Sequence, residues 1–183
     1  NTVHHSRENG GYAIVVDKSR HTCLLFRAGK VIRTYTVNLG VNGFNQKVAS
    51  GDLATPEGQY RIIRKQGVGR SRYYKGLMLD YPNSQDYSRF HQAKANRLIS
   101  SSARIGGNIM LHGEGGKTKD WTLGCVALSN RDMDDLFSMV PENTPVTIVG
   151  RVSGRFSVPV GKSQDIVEKT RELQNKKKSL RLL

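Results

Sequence analysis

The sequence predicts a mainly β domain with one helix directly after Cys125 and a second near the C-terminus. Three observations point there. Short apolar runs recur between turn-forming residues over the first half of the chain. The apolar spacing changes to a helical period only after residue 129. No apolar run approaches the ~18 residues that a membrane-spanning helix needs.

Taken in order, residues 1–10 are polar and read as a flexible N-terminal tail. Tyr12–Asp17, His21–Arg27 and Val31–Asn38 follow as strands, joined at Lys18-Ser19-Arg20 and at Ala28-Gly29-Lys30, which is the pattern of consecutive antiparallel strands. Residues 40–51 are polar and glycine-bearing, and read as a loop. In Thr55-Pro56-Glu57-Gly58 the proline presets φ for a turn and the glycine relieves its end. Gln59–Arg64 resumes a strand with Tyr60 and Ile62 on one face and Ile63 on the other. Gly76–Tyr81 reads as a strand ending at Pro82, and residues 83–102 as either a short helix or a long loop over a cleft. Asn108–His112 is apolar again. Ser129 or Asn130 caps the helix, Asp132 suits its first turn, and Met133, Leu136, Phe137 and Val140 form its buried stripe up to Pro141. Pro145–Val149 is a last strand. Residues 151–183 form a C-terminal extension in which Ser163 caps a helix with Ile166, Val167, Thr170 and Leu173 inward.

Composition narrows the function. The 183 residues suffice for one domain with a core plus a short appendage. The net charge is +14, yet its basic residues are dispersed and match no zinc-finger or RNA-binding-sheet motif, so nucleic acid is not expected as a partner. Such a dispersed charge reads either as a solvated basic surface or as a nonspecific attraction to an anionic polymer such as a cell wall. Two cysteines, Cys23 and Cys125, leave one disulfide open but make no disulfide scaffold, and Cys23 in its strand reads as a small buried hydrophobe. His4-His5 stands alone, without the spacing of a zinc site, and no metal or other cofactor is expected.

The chemistry centres on Cys125, in Thr122-Leu123-Gly124-Cys125-Val126, with His112 in Ile109-Met110-Leu111-His112-Gly113 upstream. A free thiol has a pKa of about 8.5 and is a weak nucleophile near neutral pH until a base takes its proton. An imidazole brought to Cys125 would do so, and the Gly124 and Cys125 N–H groups would form an oxyanion hole at the start of the helix behind them. Gly113 is either a carbonyl that orients the imidazole or a turn glycine. Thr122 either hydrogen-bonds near the site or shapes the turn. Trp121 is a cleft wall or ordinary packing, and Tyr73 and Tyr74 are weaker groove candidates.

These residues resemble the L,D-transpeptidase (YkuD-like) catalytic domain, in which an upstream His-Gly is followed by Ser/Thr-x-Gly-Cys and an apolar residue. Ile14–Ser19 with Leu24–Lys30 is similar to the family's opening hairpin, and Thr55-Pro56-Glu57-Gly58 with Tyr60 to its Thr-Pro-x-Gly turn; the helix and closing strand after Cys125 complete a likeness over residues 11–150. The resemblance implies a β-sandwich-like sheet and a catalytic set of Cys125, His112 and Gly113. It implies an acyl transferase of peptidoglycan stem peptides. Cys125 would attack the carbonyl between an L-centred diamino acid and a D-residue, form a thioester and pass the acyl group to an amine. With water as acceptor the same site would be an L,D-carboxypeptidase or amidase; a noncatalytic wall-binding module is the reading from another class. The implied location is the cell envelope, and a chain that begins at Asn1 rather than Met suits a processed or trimmed form whose leader is gone.

The chain departs from the family at Leu123, often a histidine there, and at Ala127, often Asn or Arg. The stretch from Gly113 to Trp121 is also short, at nine residues. Arg104 and Arg131 are the candidates to replace the lost polar substrate contact.

Overall fold

A computed structural model describes residues 2–152. Eight strands close into a barrel: β1 (Tyr12–Asp17), β2 (Thr22–Arg27), β3 (Lys30–Asn38), β4 (Gly58–Gln66), β5 (Gly76–Leu79), β6 (Met110–His112), β7 (Val126–Leu128) and β8 (Pro145–Val149). Their order around it is β1-β2-β3-β7-β6-β5-β4-β8. Neighbours run antiparallel except β6 beside β7 and β1 beside β8. The expected mainly β architecture is present, with its sheet closed on itself. Closure removes the free edges that would otherwise invite pairing with another chain.

The opening hairpin is antiparallel as expected, with Val16 opposite Cys23 and Ile14 opposite Leu25. Those four side chains point into the barrel core. Ala13, Val15, Leu24 and Phe26, on the alternate face, form a second apolar layer against which Val3 and Val152 pack. Burial on both faces is why the β1 sequence is continuously apolar rather than alternating. Cys23 is free and buried, and burial above all, then the Asp132 charge, pushes its thiol pKa up to about 12.

Residues 1–10 are not a frayed tail. They hold helix α1 (Thr2–Asn9), which packs on β1 and β2. Besides Val3 it docks through small hydroxyls: Ser6 Oγ donates to Gly11 O at 2.6 Å and accepts from the Gly29 N–H at 3.2 Å. Residues 83–102, open between helix and loop, contain helix α2 (Ser84–Ala95). Asn83 caps it by accepting from the Gln85 and Asp86 N–H groups, and Asp86 accepts from the Asn83 N–H in return. Helix α3 (Asn130–Met139) begins as expected, with Ser129 Oγ accepting from the Asp132 N–H at 3.1 Å and Met133 and Leu136 buried.

One expectation near the nucleophile is corrected. Cys125 does not lead directly into that helix, because strand β7 intervenes. The expected helix after Ser163 lies outside the described residues. Among the described residues no helix is long and apolar enough to cross a membrane.

Candidate active site

The site forms where two short parallel strands meet. Leu111 pairs with Val126 and His112 with Ala127. Leu111 and Val126 point into the core, so alternation turns Met110, His112 and Cys125 to the opposite face. There His112 and Cys125 line one cavity of about 510 Å³ with Asn108, Tyr73, Trp121 and Thr122. A separation of thirteen positions in the chain becomes adjacency because the strands run in the same direction.

His112 is buried and held in one orientation: its Nδ1 lies 2.7 Å from the Gly113 carbonyl oxygen and donates to it, which leaves Nε2 as the basic nitrogen. The carbonyl reading of Gly113 therefore applies. A Cβ at Gly113 would lie 2.6 Å from Asn130 Oδ1 and 3.0 Å from Tyr74 Cβ, so a side chain there would displace the residue that orients the imidazole. Burial lowers the His112 pKa below the ordinary imidazole value, more than its bond to Gly113 and the Glu114 charge raise it. Tyr73 stacks on the ring at 4.5 Å between centroids, and Trp121 meets it edge-on at 5.8 Å. Lys117 Nζ sits 3.6 Å from the centre of the Trp121 ring. Both aromatics are thus walls of the site. Tyr74 points elsewhere, donating to Asp134 Oδ2 at 2.9 Å.

Cys125 is half-buried, and its Sγ donates to Asn108 O at 3.6 Å. Burial pushes the thiol pKa up, against opposing pulls from the Met110 backbone amide and the Lys47 ammonium. Thiol and imidazole are therefore both neutral at rest near neutral pH. Thr122 shapes the turn in front of the thiol: its Oγ1 donates to Cys125 O at 2.7 Å and accepts from the Gly124 N–H at 3.1 Å. That second bond occupies the Gly124 N–H, one of the two expected oxyanion donors, within the turn itself. What Gly124 supplies is conformation. Its φ is +136°, and a Cβ there would lie 2.7 Å from Ala54 O.

The loop over residues 39–57 packs behind the turn that carries the thiol. Gly40 N donates to Thr55 Oγ1 at 2.9 Å, and Val41 N to Thr122 O at 3.0 Å. The Thr-Pro-x-Gly turn is latched by Lys18, whose fully buried Nζ donates to Glu57 Oε1 at 2.8 Å, Thr55 O at 3.0 Å and Asn45 O at 2.9 Å. Lys18 stood in a turn, and no periodicity or motif marked it as buried.

Arg104 and Arg131 do not line the cavity; both are exposed. The guanidinium groups at the site belong to Arg70 and Arg72 in the β4–β5 connection, a stretch without motif or periodicity. Leu123 projects to solvent with 73% of its surface exposed, while Ala127 is fully buried on β7, opposite His112. Among the described residues no group of three or more His, Cys, Asp or Glu side chains gathers where it could hold a metal ion.

Comparison with known proteins agrees with this architecture. The sequence profile of the L,D-transpeptidase catalytic domain (YkuD) matches residues 11–148. YafK of Escherichia coli (strain K12) is 26% identical over 129 residues, covering 70% of this chain but 44% of its own length. The helical cell shape determining protein Pgp2 from Campylobacter jejuni superposes with a TM-score of 0.57 at 22% identity, over 80% of this chain and 50% of Pgp2. Bd1075 of Bdellovibrio bacteriovorus gives a TM-score of 0.57 at 23% identity, over 90% of this chain and 57% of its own. At those identities the two structures show a common fold. The chain spans about half the length of these relatives.

Proposed function

Since the chain belongs to the L,D-transpeptidase (YkuD) catalytic-domain family, we propose that it is a cysteine acyl transferase of peptidoglycan stem peptides, acting in the cell envelope. The observation that carries this reading is that Cys125 shares one cavity with an imidazole whose Nδ1 is tied to Gly113, which leaves Nε2 free to act as a base. His112 Nε2 takes the thiol proton as Sγ attacks the carbonyl of the bond between an L-centred diamino acid and a D-residue. The tetrahedral oxyanion is held by the Cys125 N–H. Its collapse breaks the C–N bond, and His112 returns the proton to the leaving amine of the D-residue. An amine of a second stem peptide then attacks the thioester and loses a proton through His112, and Cys125 leaves as the thiol.

Incubation with tetrapeptide muropeptides, followed by mass spectrometry, tests the reading. Crosslinked dimer, with release of the terminal D-residue and a transient acyl adduct on Cys125, is the expected result. Free D-residue with tripeptide and no dimer would make water the acceptor. Turnover by a Cys125→Ala variant would refute the proposed nucleophile. Replacing His112 with Ala is expected to slow acylation by about 10²–10⁴-fold, the usual worth of a positioned base.

A further inference from the structure

The cavity's cationic lining comes from one place. Arg70 and Arg72 reach it from residues 67–75, which join β4 to β5, and the lining contains no Asp or Glu. None of the ion pairs among the described residues involves either arginine. Elsewhere Arg20, Arg33 and Arg89 each have a carboxylate partner. The turn that carries the two arginines is built rather than loose. Arg70 N and Ser71 N both donate to Gly67 O at 3.1 Å, and Tyr73 N donates to Ser71 Oγ at 3.1 Å. At its far end Lys75 Nζ is anchored to Asp134 Oδ1 at 2.6 Å. The Arg72 guanidinium lies 5.6 Å from the centre of the Tyr73 ring, which also stacks on the His112 imidazole and meets Trp121 edge-on. The Arg72 charge is thus held one aromatic ring away from the base, and Arg70 lines the same cavity.

We propose that Arg70 and Arg72 are the donor-recognition residues of this site and that they bind a free carboxylate of the stem peptide being acylated. This rests on the acyl-transfer reading and adds the chemical class that the cavity selects. A guanidinium presents paired N–H donors in a plane that matches a carboxylate, and such bidentate pairs carry geometric specificity that a point charge lacks. An amidated donor would forfeit the pairing and leave both arginines without a partner. The preference would therefore act on donor binding rather than on the chemical step, and would set which stem peptides are used.

The test separates this proposal from the reaction. The full chain carrying Cys125→Ser is titrated calorimetrically with a soluble stem tetrapeptide in three forms: free acid, C-terminal carboxamide, and internal carboxyls amidated. The free acid is expected to bind about tenfold or more tightly than one of the amidated forms, as for loss of a charge-assisted hydrogen bond, and the weakened form identifies the carboxylate. Adding Arg70→Gln and Arg72→Gln is expected to erase that preference by weakening the free acid alone. Arg97→Gln, which removes the same charge outside the cavity lining, is expected to preserve it. Equal affinity for all three forms, a preference that survives the double substitution, or no binding of any form overturns the proposal. Failure of wild-type protein to form a Cys125 thioester would instead sink the acyl-transfer reading, and the carboxylate preference would still be read from the Cys125→Ser titration.

Discussion

At the scale of single residues, the resting state of the pair has a consequence that titration can read. Burial moves the two groups in opposite senses, the Cys125 thiol up and the His112 imidazole down, so neither is charged near neutral pH. Nucleophilicity then waits for the substrate, and the proton moves as the C–S bond forms. Alkylation of Cys125 by iodoacetamide, which uses preformed thiolate, is expected to be slow at neutral pH and to keep rising beyond the ordinary thiol pKa. Cys23, with its pKa near 12 and no exposure, is expected to stay unlabelled in the folded protein. Fast labelling of Cys125 that is flat from mildly acidic to neutral pH would mean a preformed thiolate–imidazolium pair and contradict this account. The same displacement bears on stability. Below its ordinary pKa the unfolded chain's imidazole takes a proton that the buried His112 resists. Stability is therefore expected to fall as pH drops from that value through the lowered one of the folded protein.

At the scale of elements, the β4–β5 connection is held to helix α3 by a single carboxylate. Asp134 accepts from Lys75 Nζ and from the Tyr74 hydroxyl, while Lys75 O accepts from the Gly113 N–H at 3.0 Å. These bonds set the position of Tyr73 on His112. Lys75 first and Tyr74 second hold the Asp134 carboxyl below the usual carboxylate range, so the clamp is complete above that range and opens as pH falls through the lowered pKa. Asp134→Asn is expected to speed amide exchange in residues 67–75 and to raise KM for the donor, with barrel strands and melting temperature little changed. Unchanged exchange in that loop would show that its own turn bonds suffice. This element also marks how far sequence reasoning reached. The proposed pair, Cys125 and His112, was legible because nucleophilic chemistry needs those residue types, and glycine neighbours sharpened the signal. The opening hairpin was legible because turn residues punctuated apolar runs. Strand β7 was not, since three residues cannot display alternation. Helix α1 hid because it docks through Thr2 and Ser6 rather than an apolar stripe. Arg70 and Arg72 lie in an aperiodic turn whose place over the cavity is set by pairing of Gln66 with Gly76, a tertiary fact.

At the scale of the whole molecule, the barrel and the site share one buried cation. The loop over residues 39–57 joins β3 to β4, strands that do not pair with each other, and so crosses the end of the barrel. One side of it is fastened to β1 by Lys18, which is fully buried and makes three hydrogen bonds to the loop. The other side carries Ala54, against whose carbonyl Gly124 is closely packed, and Val41, which bonds Thr122. The conformation in front of the thiol is thereby tied to an ion pair on the far side of the same loop. Lys18→Met keeps the bulk of the side chain and removes its charge, leaving Glu57 unpaired and two carbonyl oxygens without this donor. Because the Glu57 side chain is about a third exposed and water can reach it, the expected cost is about 1–3 kcal/mol, the scale of buried acceptors left unsatisfied. Urea denaturation reads that loss. Single-turnover acylation, at a temperature where both proteins are folded, reads whether it reaches the site. If the loop transmits the change, acylation falls by more than the unfolded fraction explains, while labelling of Cys23 remains absent. A stability loss with an unaltered acylation rate would confine Lys18 to the fold and leave the Thr122–Cys125 turn to hold itself.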